Sequence, residues 1–65
     1  MWNVSVVGDG KDKVKKYKTR HEAYVKVSKV IESYARYAEN YLINIQVSVY
    51  SSEGNEFQVD LQNSR

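Results

Sequence analysis

The chain has 65 residues with no cysteine, no proline, a single histidine (His21) and a formal net charge of +2. That length makes one domain near the lower limit for folding alone, with no room to enclose a deep substrate cavity. The missing cysteines exclude disulfides and thiolate metal sites, and one histidine cannot build a histidine metal cage.

The first element is Trp2-Asn3-Val4-Ser5-Val6-Val7, whose alternation predicts a half-buried strand with Trp2, Val4 and Val6 inward. Asn3-Val4-Ser5 matches a glycosylation sequon. It reads as a chance match within a strand, because Met1-Trp2-Asn3 leads straight into the pattern and no signal peptide is expected. Gly8-Asp9-Gly10-Lys11 follows, and Asp-Gly tolerates the positive φ angles of a tight hairpin turn. A return strand is expected over about residues 13–18, though Val14 and Tyr17 differ in parity and cannot both face inward without a bulge. Its lysines mark it as an edge strand, where charge blocks pairing with another chain.

Thr19-Arg20-His21-Glu22 has the form of a capping box, so a helix is expected over about residues 20–40. Ala23, Val27, Val30, Ile31, Tyr34, Ala38 and Tyr41 fall on one helical stripe, opposite Lys29, Glu32, Arg36, Glu39 and Asn40. Asn40 is the expected left-handed stop. From Tyr41 the period changes to two. Ile43, Ile45, Val47 and Val49 point one way, and Leu42, Asn44, Gln46, Ser48 and Tyr50 the other. Ser51-Ser52-Glu53-Gly54-Asn55 has loop chemistry. A last strand is expected to bury Phe57, Val59 and Leu61 and to expose Glu56, Gln58, Asp60 and Gln62.

These elements make a single α+β domain, residues 1–65, of order β-β-α-β-β. The two most apolar strands belong in the middle and the lysine-rich and acidic strands at the edges. The prediction is a four-stranded antiparallel sheet of order 2-1-3-4 with the helix over one face.

Enzyme motifs fail in turn, and no catalytic residue, cofactor or metal is expected. Gly8-Asp9-Gly10-Lys11 lacks the spacing of a phosphate loop and leads into a strand. Asp9 and Asp12 lack the further ligands of a calcium loop. His21 has no serine or cysteine partner at a motif spacing, and no carboxylate pair shares an apolar environment. Two surfaces remain. Residues 1–29 carry eight basic and three acidic side chains, whereas residues 30–65 carry two basic and five acidic ones. Lys11, Lys13, Lys15, Lys16 and Lys18, with Arg20 and His21 beyond, could form a ridge along phosphates, although edge protection calls for the same lysines. The second surface is the uncovered sheet face, with Asn3, Ser5, Val7, Asn44, Gln46, Ser48, Tyr50, Gln58 and Gln62, and Leu42 and Asp60 at its margins. Depletion of charge around an aromatic is the composition of a protein-interface centre. Val25 points away from the helical stripe, beside Lys29, Glu32 and Arg36, whereas Tyr24 and Tyr37 flank the stripe and belong with the core.

Trp2 through Tyr24 reads as strand, Asp-Gly turn, lysine-rich strand and then Lys18-Thr19-Arg20-His21-Glu22-Ala23. This resembles the small arm-type DNA-binding domains at the start of phage and transposon integrases. Those show a tight hairpin, a basic strand ending in Lys-Thr and a helix opening with Glu-Ala. The resemblance implies DNA contact through the sheet, with Lys15, Lys16 and Lys18 near the backbone. It covers about a third of the chain. Those domains place three strands before the helix where two are expected here, and the strand pair at 42–62 has no counterpart in them.

The leading expectation is therefore a non-enzymatic, cytoplasmic protein-binding module, acting as a monomer or homodimer, with Asn3, Ser5, Asn44, Gln46, Ser48, Tyr50 and Gln58 as its contact face. By class-level analogy it would work as small phage and mobile-element proteins do, inhibiting a larger host protein. The alternative is a weakly sequence-specific nucleic-acid-binding domain using Lys11, Lys13, Lys15, Lys16, Lys18 and Arg20. No hydrophobic run reaches the roughly 20 residues of a membrane span, so no membrane partner is expected.

Overall fold

A computed structural model describes residues 1–63. Four strands and one helix follow in the order β1 (Trp2–Gly8), β2 (Lys11–Tyr17), α1 (Arg20–Tyr37), β3 (Asn44–Ser51) and β4 (Gly54–Gln62). The sheet is antiparallel throughout, in the predicted order β2-β1-β3-β4. The helix packs on one face. Val4, Val47 and Val49 from the two central strands meet Ala23 and Val27 from α1, and Trp2, Tyr17, Phe57, Val59 and Leu61 close around them. Ile43 and Ile45 are buried on the same side, so every inward position of the third strand is covered.

The β1–β2 hairpin turns on Asp9 (φ 46°) and Gly10 (φ 78°), two consecutive positive φ values of the kind that match strand twist. Gly8 precedes them at φ 130°, against the start of β3. A Cβ there would run into the Asn44 carbonyl oxygen and lie 2.8 Å from Ile45 Cα, so only glycine fits. Asp9 then ties the turn down, with its Oδ2 accepting from the Asn44 amide at 2.9 Å.

The β1–β2 register runs unbroken from Trp2↔Tyr17 to Gly8↔Lys11, so the expected parity conflict is settled without a bulge. Tyr17 packs beside Trp2 on the helix side, and Val14, opposite Ser5, goes to the open face at 51% exposure. Cross-strand partners share a face, so Lys11, Lys13 and Lys15 are on the helix side, opposite Gly8, Val6 and Val4.

A bulge occurs instead in β4. Its register against β3 shifts between Val49 and Tyr50, with Val49 opposite Phe57 but Tyr50 opposite Asn55, which leaves Glu56 as the extra residue. Simple alternation placed Glu56 on the open face. The bulge turns it to the helix side, where Arg20 and Tyr24 reach it.

Thr19 caps α1 as expected, with the Glu22 amide donating to its Oγ1 at 3.1 Å. The helix is shorter than predicted. It ends at Tyr37, and Tyr41, expected on the buried stripe, lies beyond it at 56% exposure. Asn40 is not the left-handed stop, because Asp9 is the sole non-glycine residue with positive φ among those described. Asn63 performs the capping instead. Its Nδ2 donates to the Ala38 and Tyr41 carbonyls at 3.0 Å each, and its Oδ1 accepts from the Ile43 amide at 2.7 Å. One side chain thus satisfies the exit of the helix and the entry to the third strand. Ser51 belongs to β3 and Gly54 to β4, so the expected five-residue loop tightens to a turn at Ser52-Glu53.

Candidate functional site

On its helix side β2 presents lysines where an inner strand would present valines. A groove is left between α1 and the hairpin. Its β2 wall is Lys11, Lys13 and Lys15, its α1 wall includes Lys26 and Lys29, and Val4, Val6, Val30 and Tyr34 form the floor. The groove has two adjoining compartments of about 460 and 280 Å³. Five lysines face a single carboxylate, Asp9, whose Oδ2 already holds the Asn44 amide. Consecutive lysines on one face of a strand stand about 6.6 Å apart, so Lys11 to Lys15 cover roughly 13 Å.

Lys11 stands at the junction of the compartments. Its Nζ donates to the Tyr34 hydroxyl at 2.9 Å and lies 5.1 Å from the centre of that ring. The hydrogen bond to Tyr34, before any charge effect, raises the Lys11 pKa, and the ammonium stays charged across the neutral range. At the Asp9 end the lining becomes aromatic and apolar, with Tyr34, Tyr37 and Leu42. Tyr41 stacks on Tyr37 with ring centres 4.5 Å apart and planes 21° from parallel. Leu42, expected at the margin of the open face, precedes β3 and lines this compartment at 62% exposure.

The lysines that the sequence grouped as one ridge are divided by the pleat. Lys11, Lys13 and Lys15 enter the groove. Lys16 pairs with Asn3 on the opposite face, and Lys18 lies beyond the strand. Arg20 belongs to neither set. It reaches across to the far edge strand, with Nε 2.8 and 3.0 Å from the two Glu56 carboxylate oxygens, and its guanidinium lies over the Tyr24 ring at 5.0 Å. The Tyr24 hydroxyl donates to Glu56 Oε2 at 2.7 Å, and its ring meets Phe57 edge-on at 5.9 Å. Those bonds, from Tyr24 first and Arg20 second, hold the Glu56 carboxyl below its ordinary range. The Tyr24 hydroxyl is raised, chiefly because it donates to Glu56 and then by burial. Sequence reasoning missed Lys26 and Lys29 as groove residues. The available signal was their three-residue spacing beside Val30, which puts them on one flank of the apolar stripe.

The uncovered face gathers the expected residues of β1, β3 and β4, without Leu42 and with Asp12, Val14 and Lys16 added from β2. Across the sheet run the rows Lys16-Asn3-Tyr50, Val14-Ser5-Ser48-Gln58 and Asp12-Val7-Gln46-Asp60, with Asn44 and Gln62 beyond. The central strands contribute no charge to it, and Gln46 Nε2 donates to Asp60 Oδ1 at 3.2 Å. Val7 and Val14 are exposed neighbours on the diagonal. His21 is exposed in the first turn of α1. Among the described residues, no helix is long and apolar enough to cross a membrane. No protein-family model, no curated protein and no solved structure matches the chain.

Proposed function

We propose that this chain is a nucleic-acid-binding domain that takes the sugar–phosphate backbone into the groove between α1 and the β1–β2 hairpin, with little sequence preference. The observation that carries the reading is the convergence of Lys26 and Lys29 from the helix on Lys11, Lys13 and Lys15 from the strand. Edge protection accounts for lysines on β2 but does not call for a second basic wall facing them. Lysine supplies charge without the bidentate fork that arginine uses on guanine, so affinity comes from the backbone. The resemblance of the first third to arm-type DNA-binding domains implies the same class of ligand, but with contact through the sheet. Here, though, only Lys15 of the lysines it implied enters the groove.

Labelled oligonucleotide binding across a salt series tests the reading. Log affinity should fall by roughly 0.7 per log unit of salt for each phosphate held on a single strand and 0.9 on a duplex. Replacing Lys13, Lys15 and Lys26 with Gln should remove most of the binding, while Lys16→Gln with Lys18→Gln should leave most of it. Equal losses from the two sets would end the groove assignment.

A second reading, a protein-binding module, is supported by the uncharged centre of the uncovered face and by exposed Val7 and Val14 on it. Gln46 already bonds Asp60, so a cation at that position would find a counter-charge. Ser48, between Ser5 and Gln58, is the better place for an unpaired one. Ser48→Lys with Tyr50→Ala should abolish self-association seen by sedimentation while leaving the melting temperature of the monomer unchanged. Assembly identical to that of the parent would leave the face as solvated surface.

A further inference from the structure

We infer that the ligand of the groove is a single strand whose bases stack on Tyr37, an inference that rests on the nucleic-acid reading above. The groove has two chemically different ends. One is lysine on both walls, with Lys13, Lys15 and Lys26 around Val4 and Val6. The other presents Tyr34, Tyr37 and Leu42 beside Lys11 and Lys29. A site for phosphate alone has no use for the second end. Leu42 and Tyr37 are left 62% and 51% exposed there, in a domain small enough to need its apolar surface inside.

The tyrosines also differ from one another. The Tyr34 hydroxyl is committed to Lys11, so its ring is fixed as floor. Tyr37 is backed by Tyr41, whose ring lies nearly parallel at 4.5 Å, so Tyr37 is held in place before any ligand arrives. A half-exposed ring that lines the groove and is braced by a second ring is a stacking platform with little ordering cost left. Phosphates can follow the lysines while a base turns onto Tyr37. A duplex keeps its base faces stacked inside and has none to offer. A base-free polyanion has only phosphates or sulfates for the lysine end. Single-stranded DNA or RNA uses both ends.

The test compares three probes by fluorescence anisotropy on the full chain at one moderate salt concentration. They are a short oligothymidylate, an abasic oligonucleotide of the same length and a duplex of the same length. The parent should bind the oligothymidylate about tenfold more tightly than the abasic strand, the size expected of one stacked base. Tyr37→Leu, which keeps a good helix former, should bring oligothymidylate binding down to the abasic level without moving abasic binding, and Tyr37→Phe should restore it. Tyr41→Ala, outside the helix, serves as an independent variant and should weaken the oligothymidylate selectively. Equal affinity for oligothymidylate and abasic strand, or for strand and duplex, with salt dependence and the groove-lysine effect intact, would overturn the stacking inference and leave the nucleic-acid reading standing. No binding to any of the three probes would remove both.

Discussion

Glu56 shows how one side chain can depend on register. Its carboxylate accepts from Tyr24 and Arg20, and those bonds hold its pKa below the ordinary value. A carboxylate depressed in the folded state stabilises above the unfolded pKa, about 4.3, and that contribution is lost as pH falls through the lower folded value. Tyr24 behaves in the opposite sense. Its raised hydroxyl favours the folded state below about pH 10, and the benefit is lost as pH rises through the folded value. Melting temperature against pH should therefore fall on the acid side in the parent and fall less steeply in Glu56→Gln. Parallel acid limbs in the two proteins would show that the carboxylate adds nothing. None of this was legible from alternation, which sent Glu56 to the other face. The bulge that redirects it is a mismatch between two strands, and a single strand does not encode it. Asn63 is a second case. It lies 20 residues or more along the chain from the groups it bonds, so no local capping signal announces it. Asn63→Ala should cost about 1–3 kcal/mol in chemical denaturation, because it leaves the Ile43 amide and the Ala38 carbonyl without their partner.

The individual elements are where the sequence is most informative. Period-two alternation at 43–49 and the Thr19 cap are local signals, and the structure reproduces both. Thr19→Ala should cost about 1 kcal/mol. Ile45, 1% exposed near the start of the central strand β3, should cost about 2–5 kcal/mol on truncation to Ala. A chain of this length has roughly 3–10 kcal/mol of total stability, so Ile45→Ala should populate the unfolded state measurably by circular dichroism. Melting like the parent would mean that the strand's inward face carries little of the core. The boundaries were less legible. Ala38 and Tyr41 keep the spacing of the helical stripe, yet α1 stops at Tyr37, where the Asn40 and Tyr41 amides both turn back onto the Tyr37 carbonyl and Asn63 takes the Ala38 and Tyr41 carbonyls beyond it. In β2, charge hid the facing. With lysines on both sides of the pleat, hydrophobic pattern could not decide which of them face the helix, and only pairing with β1 does so.

At the scale of the whole molecule, the charge split along the sequence becomes a split across the sheet. The lysine groove lies along the β2 edge, while Glu53, Glu56 and Asp60 lie at or beside the β4 edge. Three strand spacings separate the edges, roughly 14 Å. That exceeds the Debye length of about 8 Å at physiological ionic strength but lies well inside the roughly 30 Å of 0.01 M salt. The acidic edge should therefore repel an approaching polyanion only when salt is low. Neutralising it with Glu53→Gln and Asp60→Asn, which spares the Glu56 cluster, should raise oligonucleotide affinity and association rate at low salt and change neither at physiological salt. Stopped-flow association at the two ionic strengths separates the outcomes. An equal gain at both would mean that the ligand touches the β4 edge directly, where screening cannot intervene, and the lysine groove would lose its place as the binding site. A gain confined to low salt, alongside loss of binding when Lys13, Lys15 and Lys26 are neutralised, would be the behaviour of a domain whose two edges act on the same ligand, one by contact and one through the field.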